Sequence, residues 1–149
     1  MRFARALFAF VALPGIVAIA VPLVWLDVSE HTRIEQPLGL IPLVAGTLAL
    51  LRCVRDFYVT GKGTLAPWSP PRRLVEVGLY RYTRNPMYAA VTLMLLGWAL
   101  AFGESGLLIY AACVALAFHL RVVLGEEPWL ARTHGDAWTD YARRVPRWF

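Results

Sequence analysis

Charge is scarce in this sequence: Asp, Glu, Lys and Arg make up 17% of its 149 residues, against 58% hydrophobic residues. A soluble domain carries roughly a quarter of its residues charged, so this balance argues against an ordinary soluble fold and for a membrane protein. Cysteine is nearly lacking as well. Cys53 and Cys113 are too few for a disulfide framework, and they form no metal-ligand spacing with His31, His119 or His134. No metal is expected. GxSxG, Walker, Rossmann, HExxH and CxxC motifs do not occur, which leaves soluble nucleotide-binding folds and hydrolases without support.

What the sequence has in quantity is apolar chain free of charge. A bilayer's hydrocarbon layer is roughly 30 Å thick and takes about 20 helical residues to cross. Charge-free runs occupy 6–26, 36–51, 85–103 and 105–120. Arg52, Arg55 and Arg121 can lengthen the shorter ones by lifting their charged heads to the interface. The sequence therefore predicts an all-α integral membrane helical bundle in one domain. Four transmembrane helices are expected over about 6–26, 36–55, 86–103 and 105–124, with a loop over 56–85 and a tail over 125–149. Pro14, Pro22 and the polar stretch LDVSEHTRIEQ argue against reading the first run as a cleaved secretory signal.

Cytoplasmic loops retain Lys and Arg. With the N-terminus inside, Arg2, Arg5, the arginines of 52–84 and those from Arg121 onward all face the cytoplasm, and Arg33 alone lies outside. Both termini are thus expected to be cytoplasmic, in a bacterial inner membrane. The net charge of +5 follows from this sorting and from contact with anionic headgroups; the expected partner is the bilayer, not nucleic acid. Self-association stays open, with faces at Gly97 and Gly106 as candidates.

Nearly all the polar sequence falls on the inner side. In the tail, Leu130, His134, Trp138, Tyr141 and Val145 recur at helical spacing, with an interruption at Gly135. This predicts a C-terminal amphipathic helix at the cytoplasmic interface, with Trp129, Trp138 and Trp148 at headgroup depth and Arg143, Arg144 and Arg147 touching phosphates. Upstream, RYTRNPMY opens the third run. Asn85 can cap a helix, Pro86 suits its first position, and Arg81 and Arg84 can anchor it, yet Tyr80, Tyr82 and Tyr88 crowd more polar groups there than a cap needs. Glu126 and Glu127 follow the fourth run directly, on the side where anionic lipid repels them. The two motifs sit at the inner ends of adjacent spans and together offer cations and carboxylates to a zwitterionic ligand.

Taken together, GTLAPWSPPRRLVEVGLYRYTRNPMY, EEPWL and HGDAWTDYARRVPRWF resemble the bacterial branch of the isoprenylcysteine carboxyl methyltransferase and phospholipid methyltransferase superfamily. The matching positions are Gly78, Tyr80, Arg84, Asn85, Pro86 and Tyr88, then Glu126, Glu127 and Leu130, then Gly135, Tyr141, Val145, Pro146 and Arg147. Asn85 stands where the eukaryotic enzymes carry histidine. The resemblance implies a membrane enzyme that uses S-adenosylmethionine to methylate a lipophilic small molecule or lipid-modified substrate, at a carboxylate or an amine. It implies cofactor contacts from Tyr80, Arg84, Asn85, Pro86, Tyr88, His119, Glu126, Glu127 and Leu130, with Arg121 or Arg81 orienting a carboxylate acceptor and Glu127 serving as base for an amine. A non-catalytic membrane scaffold or a membrane reductase are the alternatives.

Overall fold

The computed structural model describes residues 11–61 and 74–149, and every regular element among them is helical. Positions 6–10 of the first expected span, with Arg2 and Arg5, and 62–73 of the expected loop lie outside the described residues. The first helix runs in wide π turns over Val11–Ala20, which contain Pro14, and continues as α1 over Val21–Val28 with Pro22 in its first turn. A 3-10 turn at Pro37–Gly39 leads into α2, Leu40–Gly61. A second 3-10 turn, Gly78–Arg81, precedes α3, Pro86–Phe102, which is followed by α4, Ser105–Arg121. A π-helical stretch, Val122–Glu126, joins α4 to α5, Glu127–His134; α6, Asp136–Arg144, completes the tail.

The helix α3 is the centre of the bundle. Its Val91, Met94 and Leu95 pack with Leu50 of α2, Ala18 of the first helix and Ala111 of α4. Two glycines set the spacing of α2 against α3. A Cβ on Gly46 would lie 2.7 Å from the Ala90 carbonyl oxygen, and one on Gly97 would lie 2.5 Å from the Leu43 nitrogen, so the two backbones touch where side chains are absent. Gly97 and Gly106 are therefore not free faces for a second copy; Gly97 is occupied by α2, and Gly106 by the Trp25 ring. Replacing Gly97 by leucine is expected to cost about 3 kcal/mol by overpacking. Thermal unfolding in detergent should show it, and an unchanged midpoint would contradict this packing.

Among the described residues, two helices are long and apolar enough to cross a membrane, Pro37–Phe57 and Ser105–His134, whereas Pro14–Val28 and Pro86–Phe102 are apolar but shorter. The two runs that are shortest as sequence thus become the longest of the described helices. Their backbone stays helical beyond the apolar residues, through Arg52 and Arg55 in one case and through Arg121 in the other, while Pro86 and Gly103 confine α3. The outward surface is apolar: Val24, Ile41, Leu48, Ile109 and Leu116 are each more than half exposed, a pattern that hydrocarbon solvates and water does not.

The α3–α4 connection positions the site. Gly103, at φ 66°, ends α3 in the left-handed conformation, and Glu104 caps α4 by accepting the Gly106 N–H at 2.9 Å. This tight hairpin sets the helices antiparallel, so the start of α3 and the end of α4 meet at one end of the bundle.

Candidate functional site

Where α3 starts, the chain is tied to its own tail. Asn85 takes the N-cap position and Pro86 the first turn, but the Asn85 side chain makes no capping bond. It donates instead through Nδ2 to the Arg147 carbonyl at 3.0 Å, and Thr83 Oγ1 donates to the same oxygen at 3.1 Å. The Arg84 N–H donates to the Pro146 carbonyl at 2.9 Å. Residues 83–85 therefore hold the main chain of Pro146 and Arg147 over the entrance to α3.

Glu126 and Glu127 reach two different clusters because adjacent helical residues point about 100° apart. Glu126 Oε1 accepts from Arg121 Nε at 2.7 Å and from the Tyr88 hydroxyl, and Arg121 Nε also donates to the Tyr88 oxygen at 3.1 Å. Arg121 and Glu126 are five residues apart, a spacing that splays side chains on an α-helix. The π turn Val122–Glu126 brings them to one face. Glu126 Oε2 has no partner among the described residues. The Tyr88 ring in turn stacks on Phe118, with centroids 4.4 Å apart.

Glu127 takes the other side. Its Oε1 pairs with Arg84 Nη1 at 2.9 Å, and Arg147 grips both its oxygens, Nε to Oε1 at 2.9 Å and Nη2 to Oε2 at 2.8 Å. This two-pronged contact is the geometry a guanidinium offers a carboxylate. The Arg84 and Glu127 side chains are only 13% and 15% exposed, so the pair is largely shielded from water. The Arg84 guanidinium also lies 5.4 Å from the centre of the Trp138 ring, and its Nε is buried without a partner. A buried donor with no acceptor is costly.

Leu130 and Tyr80 act one layer further out. Leu130 packs on the buried cluster Trp138, Tyr141 and Val145, and the Tyr141 hydroxyl donates to the Tyr80 carbonyl at 2.7 Å. The Tyr80 ring is itself buried beside Cys53 and Val75, so the link to the site runs through its main chain. Burial pushes the Tyr141 phenol up to about 12 from its ordinary 10, with the Glu76 charge adding to the effect, and burial raises Tyr80 as well. Both phenols are neutral in the fold and ionise more readily once the tail leaves and their surroundings open to water. Tail docking should therefore be unaffected by these groups below pH 10 and weaken as pH rises from 10 toward 12. Tyr141→Phe is expected to cost about 1 kcal/mol and to lessen that alkaline weakening, read by proteolysis of the tail across the pH range; an unaltered profile would contradict it.

The tail residues sort differently from the amphipathic expectation. Trp138 is buried and Arg147 turns inward to Glu127, while Arg144 pairs with Glu76 at 2.9 Å on the exposed side. Arg147 is the site residue that sequence reading placed elsewhere. A run of arginines on one amphipathic segment carries no signal for which of them has an acidic partner 20 residues back in the chain.

His119 stands apart from the arginine–carboxylate clusters. It lines a groove of about 700 Å³ between α3 and α4, walled by residues such as Ala89, Leu93, Leu96 and Phe118 and closed at one end by Thr83 and Trp148. These residues thus form two clusters where α3 starts and α4 ends: Arg84, Glu127 and Arg147 under the tail, and Tyr88, Arg121 and Glu126 beside them. Asn85 and Pro86 hold the entrance between tail and helix, and an apolar groove adjoins it.

Among the described residues, the buried Arg84 Nε and the partly exposed Glu126 Oε2 are left without partners. The family model for phospholipid methyltransferase matches residues 34–137, a stretch that includes the start of α3, the hairpin and the acidic doublet. No curated protein and no solved structure matches the chain. With more than half of its length matched by that family model, the chain belongs to the phospholipid methyltransferase family.

Proposed function

We propose that the protein transfers a methyl group from S-adenosylmethionine to a lipid-like acceptor at the cytoplasmic face of a bundle that spans the membrane four times. Membership of the family implies membrane methyltransferase activity. The observation that supports the finer reading is the placing of Arg84, with its unpaired Nε, and Glu127 beneath the tail, with Glu126 in the adjoining cluster and an apolar groove alongside.

The bound sulfonium supplies an already activated methyl group, so the chain's task is to position two reactants and keep water out. Arg84 binds the cofactor carboxylate through its free Nε while Glu127 holds the guanidinium in place. Glu126, oriented by Tyr88 and Arg121, accepts from the ribose or amino group. Asn85 and Pro86 fix the entrance, with Leu130 and the Tyr80 main chain supporting the tail above it. Trp138, Arg147 and the strap around Pro146 roof the site and limit access from the aqueous side. The acceptor enters sideways through the groove between α3 and α4, and Arg121, half exposed and two residues beyond the groove-lining His119 on the same helix, orients it. With both its oxygens engaged by guanidinium N–H groups, Glu127 is better suited to holding Arg84 and Arg147 than to abstracting a proton from the acceptor.

The test is incubation of purified protein with methyl-labelled S-adenosylmethionine and a membrane lipid extract. Label is expected in the lipid fraction, and its loss in mild base would identify an ester. No transfer together with no binding of S-adenosylmethionine would overturn the reading in favour of a non-catalytic scaffold.

A further inference from the structure

We propose that the Trp148 side chain is a gate between the α3–α4 groove and the arginine–carboxylate clusters, latched on His119, and that it swings aside for the acceptor while the strap that carries it stays in place. Trp148 then controls the acceptor's passage from the groove to the methyl donor. This rests on the reading of the groove as the acceptor's entrance.

The groove ends where the clusters begin. Thr83 and Pro86, which bracket Arg84 and Asn85 in the chain, line it. Phe118 lines it too, and its ring stacks on Tyr88, whose hydroxyl donates to Glu126. Trp148 belongs to the same lining and crosses this end. Its main chain follows directly on Arg147, whose carbonyl is held by Thr83 and Asn85 at the start of α3. Its indole Nε1 donates to His119 Nδ1 on α4 at 3.3 Å, with the two rings stacked at 6.1 Å between centroids. One side chain therefore bridges the two helices that wall the groove.

The strengths of the contacts decide which part moves. The strap is fastened by the Arg84 N–H on the Pro146 carbonyl at 2.9 Å, by the two donors on the Arg147 carbonyl at 3.0 and 3.1 Å, and by the two-pronged contact of Arg147 with Glu127 at 2.9 and 2.8 Å. That last contact joins opposite charges, and such bonds are roughly twice as strong as neutral ones. The Trp148 indole makes one neutral hydrogen bond, and its 3.3 Å is longer than usual. An acceptor pressing along the groove therefore parts indole from imidazole first. The half-buried ring turns about its own side-chain bonds to another rotamer, and no strap bond breaks.

The experiment is fluorine NMR of the full chain labelled with 5-fluorotryptophan and held in amphipol, so that an added amphiphile is the only free single chain present. Trp148→Phe, Trp138→Phe and Trp98→Phe assign three resonances. Trp98, bonded to the Ala18 carbonyl inside the bundle, reports that each variant is folded, and Trp138, buried against Tyr141 and Val145, reports that the tail is docked. Without amphiphile Trp148 is expected in its closed position, with the open form at roughly a tenth or less. Saturating dodecylamine or dodecanoate should move most of the Trp148 signal to a second position and leave Trp138 where it was. His119→Phe, which keeps a ring to stack on but removes the acceptor nitrogen, should move the Trp148 signal toward that same position with no amphiphile present. A Trp148 signal that neither amphiphile moves, a Trp138 signal that moves along with it, or an unaltered Trp148 signal in His119→Phe would overturn the gate. Failure of the wild type to bind S-adenosylhomocysteine would remove the methyltransferase reading while leaving these fluorine results as they stand, so the two failures are separable.

Discussion

Glu127→Ala is expected to abolish binding of S-adenosylhomocysteine by calorimetry, with a loss of at least about a hundredfold. The size follows from what Glu127 holds. Arg84 is 13% exposed and Arg147 37%, and both lose their carboxylate at once; breaking a buried ion pair by removing one partner costs about 3 kcal/mol or more. Arg84 would be left with neither Nη1 nor Nε satisfied, and Arg147 would lose the two-pronged contact that anchors the tail. The variant should therefore also show faster proteolysis after Trp138 while the bundle keeps its helical circular dichroism. Glu127→Gln, which can accept from one arginine but carries no charge, should fall between the variant and the wild type. Wild-type affinity in Glu127→Ala would remove this carboxylate from the site.

The second large effect is at Arg84. Arg84→Ala is expected to reduce S-adenosylhomocysteine affinity by about a hundredfold, and Arg84→Lys should restore little of it. A lysine ammonium can replace the charge facing Glu127, but it cannot offer the fixed fork in which Nη1 holds Glu127 while Nε faces a ligand, nor the planar contact with Trp138. A lysine variant with wild-type affinity would mean that Arg84 contributes charge alone. The two-pronged Arg147–Glu127 contact persists in both variants, as does the main-chain bond from Arg84 N–H to Pro146, so the tail should remain docked, in contrast to Glu127→Ala, which loses the first.

Much of this arrangement was legible in the sequence because it follows from local signals. Pro86 after Asn85 and Gly103 before Glu104 bound one helix and begin the next, and a two-residue turn between apolar runs leaves no choice but an antiparallel hairpin. That alone brings Arg84 near the acidic doublet. The lengths of α2 and α4 were less legible, since hydropathy marks where lipid is tolerated and not where the helical backbone stops. The π turn over Val122–Glu126 has no residue signature, yet it is what turns Glu126 toward Arg121 and Tyr88. The partners of Asn85 and Arg147 were illegible for another reason. Asn85 satisfies the local rule for a cap and Arg147 the local rule for an interfacial cation, and only the tertiary contact between residues 62 apart in the chain redirects Asn85. Gly97 likewise looks like a contact surface in one dimension and is a packing site in three.

The most direct measurement of whether Arg84, the acidic doublet and the tail enclose one cofactor site is photo-crosslinking. Purified protein is irradiated with tritiated S-adenosylmethionine, and the labelled peptides are mapped. Label should concentrate in the segments around Arg84 to Tyr88, Glu126 to Leu130 and Trp138, and excess unlabelled S-adenosylhomocysteine should suppress it. Label confined to other segments, or label that the competitor does not suppress, would contradict a shared site where α3 starts and α4 ends.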